Sequence, residues 1–309
     1  MRKIQVKPVK TFVLLNDSLT QRLFGSRLGV KANQSRQGIK VVDCKKGAKR
    51  IFSVLNVKNN APVDIVLNEF DRAVCDAVIS ELAAGNKYFT PAMIYRDLGG
   101  NAKRPIPAAI KKLIVFSLQK LNDLNISLDM SETAKKTSYD VKSLRAGSPL
   151  NVSVEEISLN GAALIALRID GALLFDIASE KKHIIRLAME SVDLAIKHTP
   201  RVIAVQHYII RRVAQILGSN SSANKGKKNQ RLAAKLTFAN LERCCGFYNL
   251  NRWQRQDVRE TVTLILDAFK EKNLLTDWNF EKSATGEIRA VALELPHFIC
   301  ELNINGYSV

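Results

Sequence analysis

Twice along this 309-residue chain the same order of folding signals recurs: an apolar-striped helix, a short helix, a longer helix, and then alternating strands around a polar loop. The first series opens in NEFDRAVCDAVISELAAGNKY. There Phe70, Val74, Ala77, Val78 and Leu82 fall at i, i+4, i+7, i+8 and i+12 and mark one stripe. Asn68 reads as its N-cap and Gly85-Asn86 as its end. Thr90-Pro91 is a cap residue followed by proline at the first helical position. It starts the short helix PAMIYRDL, which stops at Gly99-Gly100. A third helix is predicted from about Pro107 to Asn122, with Ile110, Leu113, Ile114, Ser117 and Leu121 inward. NISLDM (125–130) then alternates as a strand does, the polar loop SETAKKT follows, and VSVEEISL, ALIALRI and ALLFDIA read as further strands.

The second series begins at Thr199-Pro200, the same cap-and-proline start. PRVIAVQHYIIRRVAQILG places Val205, Ile209, Val213, Ile216 and Leu217 on one face. The loop SNSSANKGKKNQR (219–231) has the composition of a flexible connection. TFANLERCCGF reads as a short helix capped by Thr237. In RWQRQDVRETVTLILDAFKEKN the apolar stripe is Val258, Val262, Ile265, Leu266 and Phe269. The strands LLTDWNFEK and IRAVALEL around SATGE close the unit.

This order is that of a winged helix, a helix-turn-helix with an added β-hairpin. The predicted fold class is therefore α+β, with two tandem winged-helix domains and a basic N-terminal arm. The boundaries are 1–64 for the arm with its short strands, 65–195 for the first domain and 196–309 for the second. In the arm TFVLL (11–15) and IFSVLNV (51–57) read as strands. Residues 1–64 hold 14 basic and 3 acidic side chains, more than half of the chain's net charge of +18. An arm ordered only with a partner is one reading, and a small β-subdomain packed on the next unit is the other. So strong an excess of Lys and Arg concentrates polyanions near the surface, and double-stranded DNA is the first candidate partner. An anionic membrane is the weaker one, since no apolar run approaches the length a spanning helix needs.

In a winged helix two helices support a third, whose free face fits the major groove. In the second unit that face carries Arg252, Gln256, Arg259 and Thr263 at i, i+4, i+7 and i+11, with Gln254 and Arg255 beside them at the helix start. Arg reads guanine and Gln reads adenine with paired hydrogen bonds; the alternative is a solvated face. Asp257 and Glu260 interrupt the positive field, which argues against a pure phosphate grip. In the first unit Lys103 and Arg104 precede the third helix and Lys111 and Lys112 lie on its outer side, where ammonium groups suit phosphate. Lys135 and Lys136 fall at the tip of the first hairpin. Lys282, Thr285-Gly286 and Arg289 belong to the second, which reads either as a backbone-contacting wing or as an ordinary turn. Lys225, Lys227, Lys228 and Arg231 read as a phosphate clamp in the basic loop, or as plain surface. Trp253 and Trp278 are read as core residues rather than as stacking platforms.

The layout over about residues 65–300, with the phrases DRAVCDAV, FTPAMIYRDLGG and HYIIRRVAQILG, resembles bacterial plasmid replication initiator proteins. That resemblance implies two winged-helix domains that bind repeated origin sites, recruit host replication proteins and carry no enzymatic activity. It also implies that one domain mediates a homodimer while the other reads DNA. The setting it implies is cytoplasmic, with the nucleoid or a plasmid.

Enzyme chemistry finds little footing in the sequence. His183, His198, His207 and His297 form no His-x-His pair. His207 and Arg211 have the wrong spacing for a tyrosine recombinase, and Gly226-Lys227 lacks the rest of a P-loop. Glu155-Glu156 is a lone acidic pair on a strand. Cys44, Cys75, Cys244, Cys245 and Cys300 include no C-x-x-C and read as free thiols. No cofactor or metal is expected. The competing function is a winged-helix transcription regulator, although no effector pocket or dimer coiled coil stands out; a DNA-bridging partition or transfer accessory protein is the weaker third.

Overall fold

The computed structural model of the protein describes residues 6–16, 18–24, 41–45, 48–56, 67–129, 144–159, 162–180, 183–219 and 232–296. Its elements in chain order are β1 (Thr11–Leu15), α1 (Ser18–Leu23), β2 (Val41–Lys45), β3 (Ala48–Asn56), α2 (Glu69–Ala83), β4 (Tyr88–Phe89), α3 (Pro91–Asp97), α4 (Ala108–Asp123), β5 (Leu124–Asp129) and β6 (Leu144–Gly147). There follow β7 (Asn151–Leu159), β8 (Ala162–Gly171), α5 (Leu173–Glu180), β9 (Ile184–Ala188), α6 (Pro200–Ser219), β10 (Lys235–Thr237), α7 (Phe238–Cys245), α8 (Arg252–Glu271), β11 (Asp277–Lys282) and β12 (Ile288–Glu294). The molecule mixes helices with small antiparallel sheets.

Two stretches share a plan. In the first, α2, α3 and α4 precede the β7–β8 hairpin, and the short β4 between α2 and α3 pairs with β8, giving the sheet order β4-β8-β7. In the second, α6, α7 and α8 precede the β11–β12 hairpin, and β10 pairs with β12, giving β10-β12-β11. The same strand position between the first two helices closes both sheets.

The stretches differ by an insertion. β5 and β6, which follow α4, do not pair with β7. They join β2 and β3 in a separate sheet of order β2-β3-β5-β6, with Phe52 opposite Leu128 and Val54 opposite Ile126. The first hairpin is therefore built from the two later strands, whose register reaches Leu159 opposite Ala162. It is not built around SETAKKT, as strand order in the sequence suggests. That loop, with Lys135 and Lys136, lies outside the described residues.

Helix α2 is the pivot. Asn68 caps it: its Oδ1 accepts from the Phe70 and Asp71 amides at 2.9 and 3.1 Å, while the Asp71 carboxylate accepts from the Asn68 amide at 2.9 Å. The sequence shows one apolar stripe, yet every residue from Glu69 to Glu81 is buried. The polar side is covered because β1 and α6 pack on it as well as α3, α4 and α7. Its polar groups find partners there. The Ser80 hydroxyl accepts from the Val13 amide at 2.8 Å, Asp76 accepts from the Leu15 amide at 3.2 Å, and Arg72 donates to the Leu15 carbonyl at 2.9 Å.

Of the two readings of the N-terminal arm, residues 11–15 follow the packed one. β1 pairs antiparallel with β9, and Phe12, Val13, Leu14 and Leu15 are all buried. TFVLL has no polar side chain after Thr11, so both faces of the strand need cover. One hydrophobic cluster runs from β1 through α2 and α6 to α8 and β12. A correction concerns ALLFDIA, which is helical rather than extended. Leu174, Ile177 and Ala178 bury at i, i+3 and i+4, and a short apolar run does not tell the two states apart.

Candidate nucleic-acid interface

Helix α8 is divided along its length. Val258, Val262, Ile265, Leu266 and Phe269 are its buried stripe, as the periodicity predicts. Before Val258 nothing is buried: Asn251, Arg252, Trp253, Gln254, Arg255, Gln256 and Asp257 are all exposed. The first turn and a half of the helix therefore stands free of the core. A capping box holds it in shape. The Asn251 Oδ1 accepts from the Gln254 amide and the Gln254 side-chain oxygen accepts from the Asn251 amide, both at 2.9 Å. The turn before it is shaped by Gly246, whose φ of 74° closes α7 in the left-handed region, and by Asn249 at 54°.

The predicted readers come together on this helix. Arg252, Gln256, Arg259 and Thr263 lie along one side, with Arg259 and Thr263 half-buried at their stems. Arg252, Arg255 and Arg259 make no ion pair among the described residues, so their guanidinium groups are available to an anion. The glutamines are more constrained. The cap takes the carbonyl oxygen of Gln254, leaving only its amide group for a partner. Gln256 donates to Glu260 at 3.0 Å. Asp257 pairs with Arg201 at 3.2 Å, which partly offsets its repulsion of a polyanion.

Other expected contacts are scattered. Lys103 and Arg104 are exposed in the loop before α4, where Asn101 accepts from the Lys103 amide at 2.8 Å. Lys111 and Lys112 are exposed on α4. Leu113, expected inward, is 38% exposed, and Phe116 is 55% exposed. Ile110, Ile114, Ser117, Leu118 and Leu121 form the buried face instead, and Leu113 lies off it. Lys120 is drawn inward to the Asp71 carboxylate, which also accepts from Ser117 at 2.6 Å. The outer side of α4 is thus part lysine, part apolar.

In the β11–β12 hairpin Lys282 is exposed and Gly286, at φ 79°, makes the turn. Glu281 pairs with Lys235, and Glu287 lies 3.9 Å from Arg289, so the hairpin's charge is mixed. Lys225, Lys227, Lys228 and Arg231 lie outside the described residues.

Two aromatic residues stand out beside the arginines. Trp253 is 79% exposed and Tyr248 54%, which corrects the placement of Trp253 in the core. The periodicity held the signal: the buried stripe begins at Val258, and one turn back it points to residues 254 and 255, not 253. Trp278 is half-buried, edge-on to Phe280, and donates its indole N–H to Asp267 at 3.0 Å.

Among the described residues no three His, Cys, Asp or Glu side chains are placed to hold a metal ion. No described helix is long and apolar enough to cross a membrane.

No protein-family model matches the chain, and no curated protein does. Solved structures of RctB domains are similar to it. A selenomethionine crystal structure of domains 2 and 3 of RctB has a TM-score of 0.42 at 10% identity, over 87% of this chain and 99% of that one. A second crystal structure of RctB domains 2–3 has a TM-score of 0.41 at 7% identity, over 86% of this chain and 96% of that one. No residue's role rests on either likeness.

Proposed function

We propose that this protein binds double-stranded DNA in a sequence-dependent way through two winged-helix units, and that it serves as an initiator of replication at repeated origin sites on a plasmid or other mobile element. One observation carries the DNA-binding part. The first turn and a half of α8 projects beyond the core with Arg252 and Arg255 exposed, and Arg259 follows on the same helix. Residues at the N-terminal end of such a helix are the ones that reach base edges. The initiator role rests on the resemblance of DRAVCDAV, FTPAMIYRDLGG and HYIIRRVAQILG. In this reading the protein acts by binding alone, without cofactor or catalysis, in the cytoplasm with its plasmid or the nucleoid. Its partners are the DNA, a second copy of itself and the host's replication proteins. The basic groups on the α4 side, Lys103, Arg104, Lys111 and Lys112, grip phosphate, and Lys282 touches the backbone from the hairpin.

The test is selection of bound duplexes from a random pool, followed by footprinting on tandem repeats. Arg255→Ala and Arg259→Ala should each cost about 1–3 kcal/mol on the selected site and relax base preference there. Lys112→Ala should weaken binding to all sequences alike and flatten the salt dependence. Equal losses on every sequence for the two arginine variants would reject base reading by α8. Selection of one isolated palindrome instead of direct repeats would favour a transcription regulator.

A further inference from the structure

Trp253 lies outside the core formed by the described residues. It is the second residue of α8, it is 79% exposed, and no ring or hydrogen-bonding partner meets it among the described residues. Tryptophan, tyrosine and arginine are the residues that most often dominate protein–protein binding surfaces, and here Trp253 follows Arg252 at the start of α8 and shares its side of the helix with Gln256 and Asp257 at i+3 and i+4, with Tyr248 exposed on the preceding turn.

We propose that Trp253 is a specificity-determining residue that recognises thymine in the major groove, its ring against the 5-methyl group and its indole N–H directed at O4. This rests on the reading of α8 as the base-reading helix. The chemistry selects the base. Indole offers an apolar body and one donor, with no acceptor. Thymine is the one base that presents a methyl group beside an acceptor in the major groove; cytosine places a donor where thymine has O4. An arginine at this position would prefer guanine, so Arg252 and Trp253, consecutive on the helix, read different bases. Two carboxylates, Asp257 and Glu260, share Trp253's side of the helix at i+4 and i+7. Asp257 is held by Arg201 and Glu260 by Gln256.

The experiment uses the full chain and the duplex it selects from a random pool. Each thymine is replaced in turn by deoxyuridine, which removes only the methyl group, and, with guanine in place of the paired adenine, by 5-methylcytosine, which keeps the methyl and turns the acceptor into a donor. At one or two positions the wild type should bind the uracil duplex about fourfold more weakly, the worth of one buried methyl-sized group, and the methylcytosine duplex more weakly still. Trp253→Ala should bind thymine and uracil duplexes equally, while Trp253→Phe keeps the methyl preference and loses part of the discrimination against methylcytosine. Arg255→Ala should bind more weakly overall and keep the thymine-to-uracil ratio. Since Trp253 lies outside the core, its variants should melt as the wild type does. Loss of intrinsic fluorescence on DNA addition, read in a Trp278→Phe background, would place the indole at the contact. A wild type indifferent to every thymine methyl, or a Trp253→Ala variant that still discriminates, overturns the proposal while the arginine variants keep the underlying DNA reading testable on its own. Failure to bind any duplex overturns both.

Discussion

Arg211 carries a full charge inside the protein. Its Nε donates to Glu69 at 2.9 Å and its Nη1 to Asp76 at 2.8 Å, and all three side chains are at most 4% exposed. Asp76 feels two opposed influences. Burial drives its pKa up, while Arg211 and Arg72 pull it down. Two charges in a dry interior repay their desolvation only when each has its partner. Arg211→Ala leaves Glu69 and Asp76 buried without their shared guanidinium partner and should cost about 3–5 kcal/mol in urea unfolding. Arg211→Lys keeps the charge but not the two-pronged geometry, and should recover only part of that loss. A fully stable alanine variant would mean that the carboxylates find other partners without the arginine. None of this is legible in HYIIRRVAQILG, where Arg211 reads as one more surface charge. Helical periodicity assigns faces, but which polar face a distant segment will cover depends on tertiary packing.

Helix α8 shows what sequence does settle. Its buried stripe and its free N-terminal turns both follow from spacing, because the helix is long and packs on one side only. The helix α2 is half legible for the opposite reason: its stripe and its Asn68 cap can be read, but its polar side is enclosed by β1, which arrives from more than 50 positions earlier. The inserted β5 and β6 escape for a similar cause. A strand's partner is set by register across the whole chain, so the nearest strand in sequence is only a default. Of the candidate site, Arg252 and Arg259 can be placed from spacing, whereas Arg255 falls at the phase of the buried stripe and is exposed because the helix start projects past the core. The exposure of Trp253 is hidden when tryptophan is weighed by its usual burial instead of by its phase on the helix. The capping box carries a prediction at this scale. Asn251→Ala removes the acceptor for the Gln254 amide and should cost about 1 kcal/mol. The loss falls on the turns that precede Val258, outside the core. It should therefore weaken DNA binding in mobility-shift assays more than it lowers the thermal midpoint. An unchanged affinity would show that the first turn of α8 is not part of the contact surface.

At the scale of the molecule, two buried titratable groups on different helices give stability opposite dependences on pH. His207, on α6, is fully buried against Phe12, and burial with the neighbouring Arg211 lowers its pKa from 6.5 to about 3. Asp97, at the end of α3, is buried beside Glu81, and burial with that second carboxyl raises its pKa from 3.8 to about 9. The signs follow from which state binds the proton. Between about pH 6.5 and pH 3 the unfolded chain takes up a proton at His207 that the folded one refuses, so stability falls as pH falls through that window. Between about pH 4 and pH 9 the folded protein keeps a proton at Asp97 that the unfolded chain has lost, so stability falls as pH rises there. Asp97→Asn retains a neutral, hydrogen-bonding side chain and removes the second slope. The variant should resist urea at pH 8 better than the wild type, by on the order of a few kcal/mol, because each tenfold change in proton affinity is worth about 1.4 kcal/mol. Near pH 4 the two should match. His207→Gln should flatten only the acid side. Parallel stability curves for wild type and Asp97→Asn from pH 4 to pH 9 would show that Asp97 is ionised in the folded protein.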